Sequence, residues 1–218
     1  MALAIFDLDN TLIAGDSDYL WGEFLVARGL VDGELYARTN DRFYQDYREG
    51  TLDIDAFLRF ALTPLREHPR ALLEALRERF VAEVIEPIML TAARDLITAH
   101  RESGDTLLII SATNTFVTAP IAERFGIVHL IATEPELVAG CYTGLVAGVP
   151  AFREGKVRRL EDWLTAHGET LAGSSFYSDS HNDLPLLSLV ERPVAVDPDP
   201  ILREVADGRG WPILSLRG

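Results

Sequence analysis

Short apolar runs alternate with amphipathic stretches along most of this chain, and the alternation predicts a sheet flanked by helices. Ala2 to Phe6 is a continuous apolar run of strand length. From Asp16 to about Glu86 the pattern turns helical, with no convincing strand. Asp53 is placed to cap a helix in which Ile54, Phe57, Leu58, Ala61 and Leu62 share a face. Leu72, Leu73, Leu76 and Phe80 repeat that spacing one helix later. Thr91 to Arg101 then reads as a helix and Thr106 to Ile110 as a strand, followed by a helix through Val117, Ile121 and Phe125 that stops at Gly126. Leu130 to Ala132 is a further strand, and Leu137 to Val149, carrying Gly140, Gly144 and Gly148, suits a hairpin or an irregular excursion. Gly155 to Thr165 is helical with Val157, Leu160 and Leu164 inward; Ser174 to Ser178 is a strand, and helix, strand and helix follow. Alternating βα units predict an α/β fold with a parallel sheet and right-handed crossovers, interrupted early by a helical insertion.

Composition narrows the class. With 218 residues, 48% hydrophobic and 25% charged, the chain suits one domain with an insertion, or one large and one small domain. The formal net charge of -14 argues against a nucleic-acid partner, because an acidic surface repels a phosphate backbone. The same field repels small phosphate esters, so an anion site here needs local positive charge, a metal or backbone amides. The single cysteine, Cys141, permits no internal disulfide and suits a reducing compartment. No stretch approaches the roughly 18 apolar residues of a membrane span. The amino terminus carries no basic n-region ahead of an apolar one. The expectation is a cytoplasmic protein with no membrane partner.

The polar groups at the predicted strand ends carry the chemistry. Asp7-Leu8-Asp9-Asn10-Thr11 follows the first apolar run, and in an open α/β sheet ligands bind at the carboxyl ends of strands. One carboxylate there can bind a metal or attack phosphorus, and the next odd position can act as acid or base; an Asp-rich turn is the plain alternative. Ser111-Ala112-Thr113-Asn114 ends the next strand ahead of a helix, which suits an anion or an ordinary helix cap. Asp179 and Asp183 lie one helical turn apart after another strand; they suit a metal site, or a cap with a first-turn acid. Lys156 opens a helix, either as a solvated residue or to neutralise phosphate charge. Taken together these groups supply a nucleophile, an acid, metal ligands and phosphoryl donors, the parts that phosphomonoester hydrolysis needs. Carboxylate oxygens from Asp7 and Asp179 favour Mg²⁺.

In sequence order, Asp7-x-Asp9-x-Thr11, Ser111, Lys156 and Asp179-x-x-x-Asp183 resemble the four motifs of the haloacid dehalogenase superfamily, over essentially the whole chain. The resemblance implies a Rossmann-like parallel core formed by residues 1–14 and 89–218, with a helical C1 cap at 15–88. It further implies that Asp7 is a nucleophile forming an aspartyl-phosphate, that Asp9 is the general acid and then the base, and that Thr11 orients Asp9. Ser111, Ala112, Lys156 and Asn182 would lie at the phosphate. Asp7, the Asp9 carbonyl and Asp179 would hold Mg²⁺, with Asp183 supporting them from the second shell or through water. The carboxylate at position 9 matches the phosphatases of the superfamily, since its dehalogenases lack it. A capped site excludes water and so favours a small phosphorylated metabolite.

Within the superfamily, Gly50 to Ala61 is similar to the cap segment of phosphoserine phosphatases, but the arginine that clamps the substrate carboxylate there falls at Ala61. Arg59 or another arginine is the substitute the chain could offer. The acid that meets the substrate amine falls at Asp16. Gly15-Asp16-Ser17-Asp18, Ser111 to Asn114, Leu130 to Glu134, Tyr177 to Leu187 and Pro193 to Asp199 are closer to small proteobacterial phosphatases, some of which look like histidinol-phosphate phosphatases. That resemblance implies Asp16 and Asp18 for a substrate amine and Trp21, Phe43, Tyr44 and Tyr47 for its ring, although aromatics also build small cores and Asp18 also suits a helix cap. Phosphoserine, another small phosphate ester, or transfer to an acceptor other than water remain the alternatives. A non-catalytic scaffold would not need Asp7, Asp9 and Asp179 together.

Overall fold

The computed structural model describes residues 2–217. Six strands form one sheet: β1 (Leu3–Phe6), β2 (Thr106–Asn114), β3 (His129–Thr133), β6 (Ser175–Ser178), β7 (Arg192–Val196) and β8 (Ile213–Leu214). Their order is β3-β2-β1-β6-β7-β8, and every neighbouring pair is parallel. A separate antiparallel hairpin, β4 (Pro135–Val138) and β5 (Cys141–Val146), occupies the glycine-bearing stretch.

The apolar run of β1 follows from its central position. All four residues are buried, as expected of a parallel strand covered on both faces. Side chains alternate across a strand: Ala4 and Phe6 join one hydrophobic cluster, Leu3 and Ile5 the other. Helices α6 (Thr91–Glu102) and α7 (Thr115–Arg124) cover the first face through Ala93, Ile97, Val117 and Ile121. Helices α8 (Glu154–His167), α9 (Leu184–Leu187) and α10 (Pro200–Arg209) cover the second through Leu160, Leu186, Leu187, Leu202 and Ala206.

Five helices fill the insertion: α1 (Ser17–Ala27), α2 (Gly33–Glu49), α3 (Ile54–Ala61), α4 (Thr63–Glu67) and α5 (Arg70–Phe80). Asp53 caps α3 by accepting the Ala56 N–H. The chain leaves and returns at one point, where Ile13 bridges Met89 and the Ala14 N–H donates to the Ile88 carbonyl at 2.8 Å. Helices α1 and α5 send Trp21, Phe24, Leu25, Leu73 and Phe80 into the same cluster as the sheet face.

Three details depart from the periodicity. Strand β2 runs on to Asn114, with a register shift against β3 between Ile110 and Asn114. Leu72 is exposed, so the inward face of α5 is Leu73, Leu76 and Phe80. The chain also ends in β8, a two-residue edge strand too short to leave a pattern.

Candidate active site

Strand order reverses around β1, with β2 on one side and β6 on the other, and this is where a crevice opens in such sheets. Asp7 leaves β1 there, its N–H donating to the Tyr177 carbonyl at 2.9 Å. Its carboxylate is buried between two donors: Lys156 Nζ at 2.7 Å from Oδ1, and Thr11 Oγ1 at 3.3 Å from Oδ2. Thr11 Oγ1 also lies 3.2 Å from Asp179 Oδ1 and accepts the Asp179 N–H at 3.1 Å. A hydroxyl has one proton to give, so Thr11 stands between Asp7 and Asp179 and serves one carboxylate at a time. Its hydroxyl contacts these two groups and not Asp9, the residue that the resemblance has it orient.

Lys156 is the only lysine in the chain, and it is 3% exposed. It sits in the first turn of α8 and reaches across to Asp183 at 2.8 Å as well as to Asp7. Gly155 lets this turn form, because a methyl group there would overlap the Pro150 carbonyl. Burial works against the ammonium, but Asp183 and Asp7 outweigh it and push its pKa up. Asp7 is raised to about 7, first by burial and then by Asp183 and Asp9, with Lys156 pulling the other way. Asp183 also accepts from Ser178 Oγ at 2.7 Å. Its carboxylate is thus engaged by Lys156 and Ser178.

Asp9 is held by three donors: the Ser17 N–H at 2.6 Å, Thr113 Oγ1 at 2.9 Å and Ser111 Oγ at 3.1 Å. The extension of β2 explains two of them, since residues two apart on a strand share a face. Ser111 therefore spends its hydroxyl proton on Asp9 in this state. Thr113 was not among the expected site residues; the alternation that selects Ser111 also selects it.

Over these groups lies a narrow, partly open cavity with free room for water of only about 50 Å³. Its walls hold four carboxylates, Asp7, Asp9, Asp16 and Asp18, and the rings of Tyr19, Phe43, Tyr44, Tyr47, Phe57 and Phe152, with Ala112 and Thr113 at its base. No arginine or lysine lines it. Arg59 points into a different cleft beside Gly144 and Pro150, so it does not replace the clamp missing at Ala61. Trp21 is core, 2% exposed against Phe24, Phe80 and Phe116. Tyr19, Phe57 and Phe152 line the cavity as well, and of these only Phe57 has a helical-face signal in the sequence.

Asp16, not Asp18, caps α1, accepting from Asp18 N and Tyr19 N. Asp18 accepts a single hydrogen bond, from Asn114 Nδ2 at 3.1 Å, and burial followed by the Asp9 charge raises it to about 7. Asn182 turns toward the helical insertion instead of Asp7: its amide donates to the Tyr47 carbonyl at 3.1 Å and accepts from Arg153 Nε at 2.9 Å. His181 is tied to Asp199 at 2.8 Å. Cys141 is exposed in the hairpin.

The donor set also fits a divalent cation. Asp7 and Asp179 flank one hydroxyl, and Asp179 is raised well above the usual range by burial, then by Asp7 and Asp183. Among the described residues no three His, Cys, Asp or Glu side chains form a complete cage. Mg²⁺ does not need one, since it typically takes one or two carboxylates and keeps waters. No helix among the described residues is long and apolar enough to cross a membrane.

The family model for haloacid dehalogenase-like hydrolases matches residues 4–188, and the chain belongs to that family. It is 47% identical to a histidinol-phosphatase of Neisseria meningitidis serogroup C over 99% of both chains. A Bordetella pertussis Tohama I protein, described as of unknown function, superposes with a TM-score of 0.93 at 46% identity, covering 99% of this chain and 98% of that one. A phosphoserine phosphatase solved as a phospho-aspartyl intermediate analogue shares the fold, with a TM-score of 0.72 at 22% identity, covering 98% and 92% of the two chains.

Proposed function

We propose that the protein hydrolyses a small phosphomonoester through phosphorylation of Asp7, and that the ester carries an ammonium and a flat ring, as L-histidinol phosphate does. The observation that carries this reading is the cavity wall: four carboxylates and six aromatic rings with no cationic side chain. An ammonium gains from such a wall, and a ring stacks on it. Phosphoserine would bring a carboxylate into the same wall without an arginine to receive it, and an unpaired buried charge is costly. The full-length likeness to a histidinol-phosphatase supports the same substrate.

In the proposed reaction an Asp7 carboxylate oxygen attacks phosphorus. The P–O bond to the alcohol breaks, and Asp9 gives its proton to the leaving oxygen. Asp9 then takes a proton from water, whose oxygen attacks the acyl-phosphate; the P–O bond to Asp7 breaks and orthophosphate leaves. Lys156 offsets phosphoryl charge while holding Asp7 in place. Asp7 and Asp179, with the Asp9 carbonyl, would hold Mg²⁺, which screens the carboxylate from the phosphate.

Phosphate release from L-histidinol phosphate, with Mg²⁺ and with EDTA, tests this reading. Turnover should require the metal and vanish in Asp7→Asn, whose amide cannot form the acyl-phosphate. Turnover that persists in Asp7→Asn would sink it.

A further inference from the structure

The reaction above gives no task to Arg153, yet this residue joins the helical insertion to the loop that carries Lys156. Its backbone has φ 50 and ψ -119, a left-handed combination that glycine adopts freely and a side-chain-bearing residue does not. Such a conformation persists only where its surroundings enforce it. Here the guanidinium does so: Nε donates to Asn182 Oδ1 at 2.9 Å, and Nη2 donates to the Gly50 carbonyl at 2.6 Å.

Gly50 ends α2 in the left-handed conformation, φ 72. Carbonyls in the last turn of a helix lack an intrahelical partner, and this one finds Arg153. Asn182 makes a parallel contact one turn back, on the Tyr47 carbonyl. The fit is close, since a methyl group at Gly50 would lie 2.7 Å from His181 Nε2 and 3.3 Å from Arg153 Nη2. Arg153 and Asn182 thus form a bracket on the end of α2, the helix that brings Phe43, Tyr44 and Tyr47 to the cavity. At its other end Arg153 begins the turn of α8: its carbonyl accepts the Lys156 N–H at 3.0 Å.

We propose that Arg153 is a positioning residue that couples closure of the insertion over the cavity to the placement of Lys156. In the closed state the bond to Gly50 offsets the strained backbone. When α2 swings away the bond is lost, residues 153–156 relax, and Lys156 leaves its fixed position beside Asp7. This rests on the phosphoryl-transfer reading for its purpose, but not for its geometry.

The full-length protein, Arg153→Gly and Arg153→Lys test it. Glycine suits the backbone and removes the bracket; lysine keeps the charge and the strain but lacks the fork that spans two acceptors. Deuterium uptake at residues 44–54 and the acylation rate of Lys156, the chain's only lysine, are read without substrate. Both should rise on the order of tenfold in both variants, the scale of a lost charge-assisted hydrogen bond, and kcat should fall more than KM rises. The Tm of Arg153→Gly should stay level or increase. Unchanged uptake and acylation would overturn the proposal, as would a lowered Tm in Arg153→Gly with faster uptake throughout the sheet, the mark of a merely structural arginine. A wild type that hydrolyses no ester, with uptake and acylation still raised in the variants, would overturn the phosphatase reading and leave the bracket intact.

Discussion

Lys156 Nζ lies 2.7 Å from Asp7 Oδ1, and both side chains are almost fully buried. This pair joins the only lysine of the chain to the residue we assign as nucleophile. Breaking a buried pair from one side leaves a charge without compensation, which typically costs about 3–5 kcal/mol. Lys156→Met should therefore lower unfolding stability by about that amount near neutral pH, because Asp7 and Asp183 lose their common partner. Urea unfolding in EDTA reads it. Turnover should fall by at least about 10²-fold through loss of phosphoryl charge stabilisation.

The raised pKa of Asp7 fixes a pH dependence. Its folded value is about 7 against 3.8 in the unfolded chain, so the folded state holds an extra proton between those values. Rising pH across that window then removes stability from the metal-free protein, and above it the contribution is flat. Mg²⁺ needs the carboxylates ionised, and burial raises Asp179 in the same direction. The Mg²⁺-induced rise in Tm should be small near about pH 5.5 and large near about pH 8. An equal rise at both would remove Asp7 and Asp179 as the metal pair.

Asp18 should write itself into the kinetics. Its carboxyl is raised to about 7, and only the ionised form attracts an ammonium. Since kcat/KM reports groups of the free enzyme, kcat/KM for an amine-bearing ester should climb as pH rises through about 7. In Asp18→Asn that climb should become shallower and keep only the part that Asp7 imposes, whereas the limb of an ester without an amine should be the same in both proteins.

Much of this site was legible in the chain, for physical reasons. Asp7, Asp9, Asp179 and Asp183 follow apolar runs of strand length, and a parallel sheet turns that pattern into a shared edge. Lys156 follows a glycine that the turn requires. Periodicity names a face but not the neighbour it meets, which is why Trp21 suits cavity and core alike in the sequence and is found in the core, while Phe152, which no pattern singles out, lines the cavity. The bond from Arg153 to Gly50 spans 103 residues, and no local pattern encodes it. The partners that Thr11 and Asn182 meet depend on side-chain directions that spacing does not set.

The central claim is that a carboxylate-walled cavity selects an amine-bearing ring ester for transfer to Asp7. The most direct test is kcat/KM for L-histidinol phosphate against L-phosphoserine, with Mg²⁺, in the wild type and Asp18→Asn. The account predicts a wild-type preference for histidinol phosphate of at least about 10²-fold, reduced by about tenfold or more in Asp18→Asn, since truncating one side of a desolvated charge pair costs several kcal/mol. Equal or better turnover of phosphoserine by the wild type would contradict it.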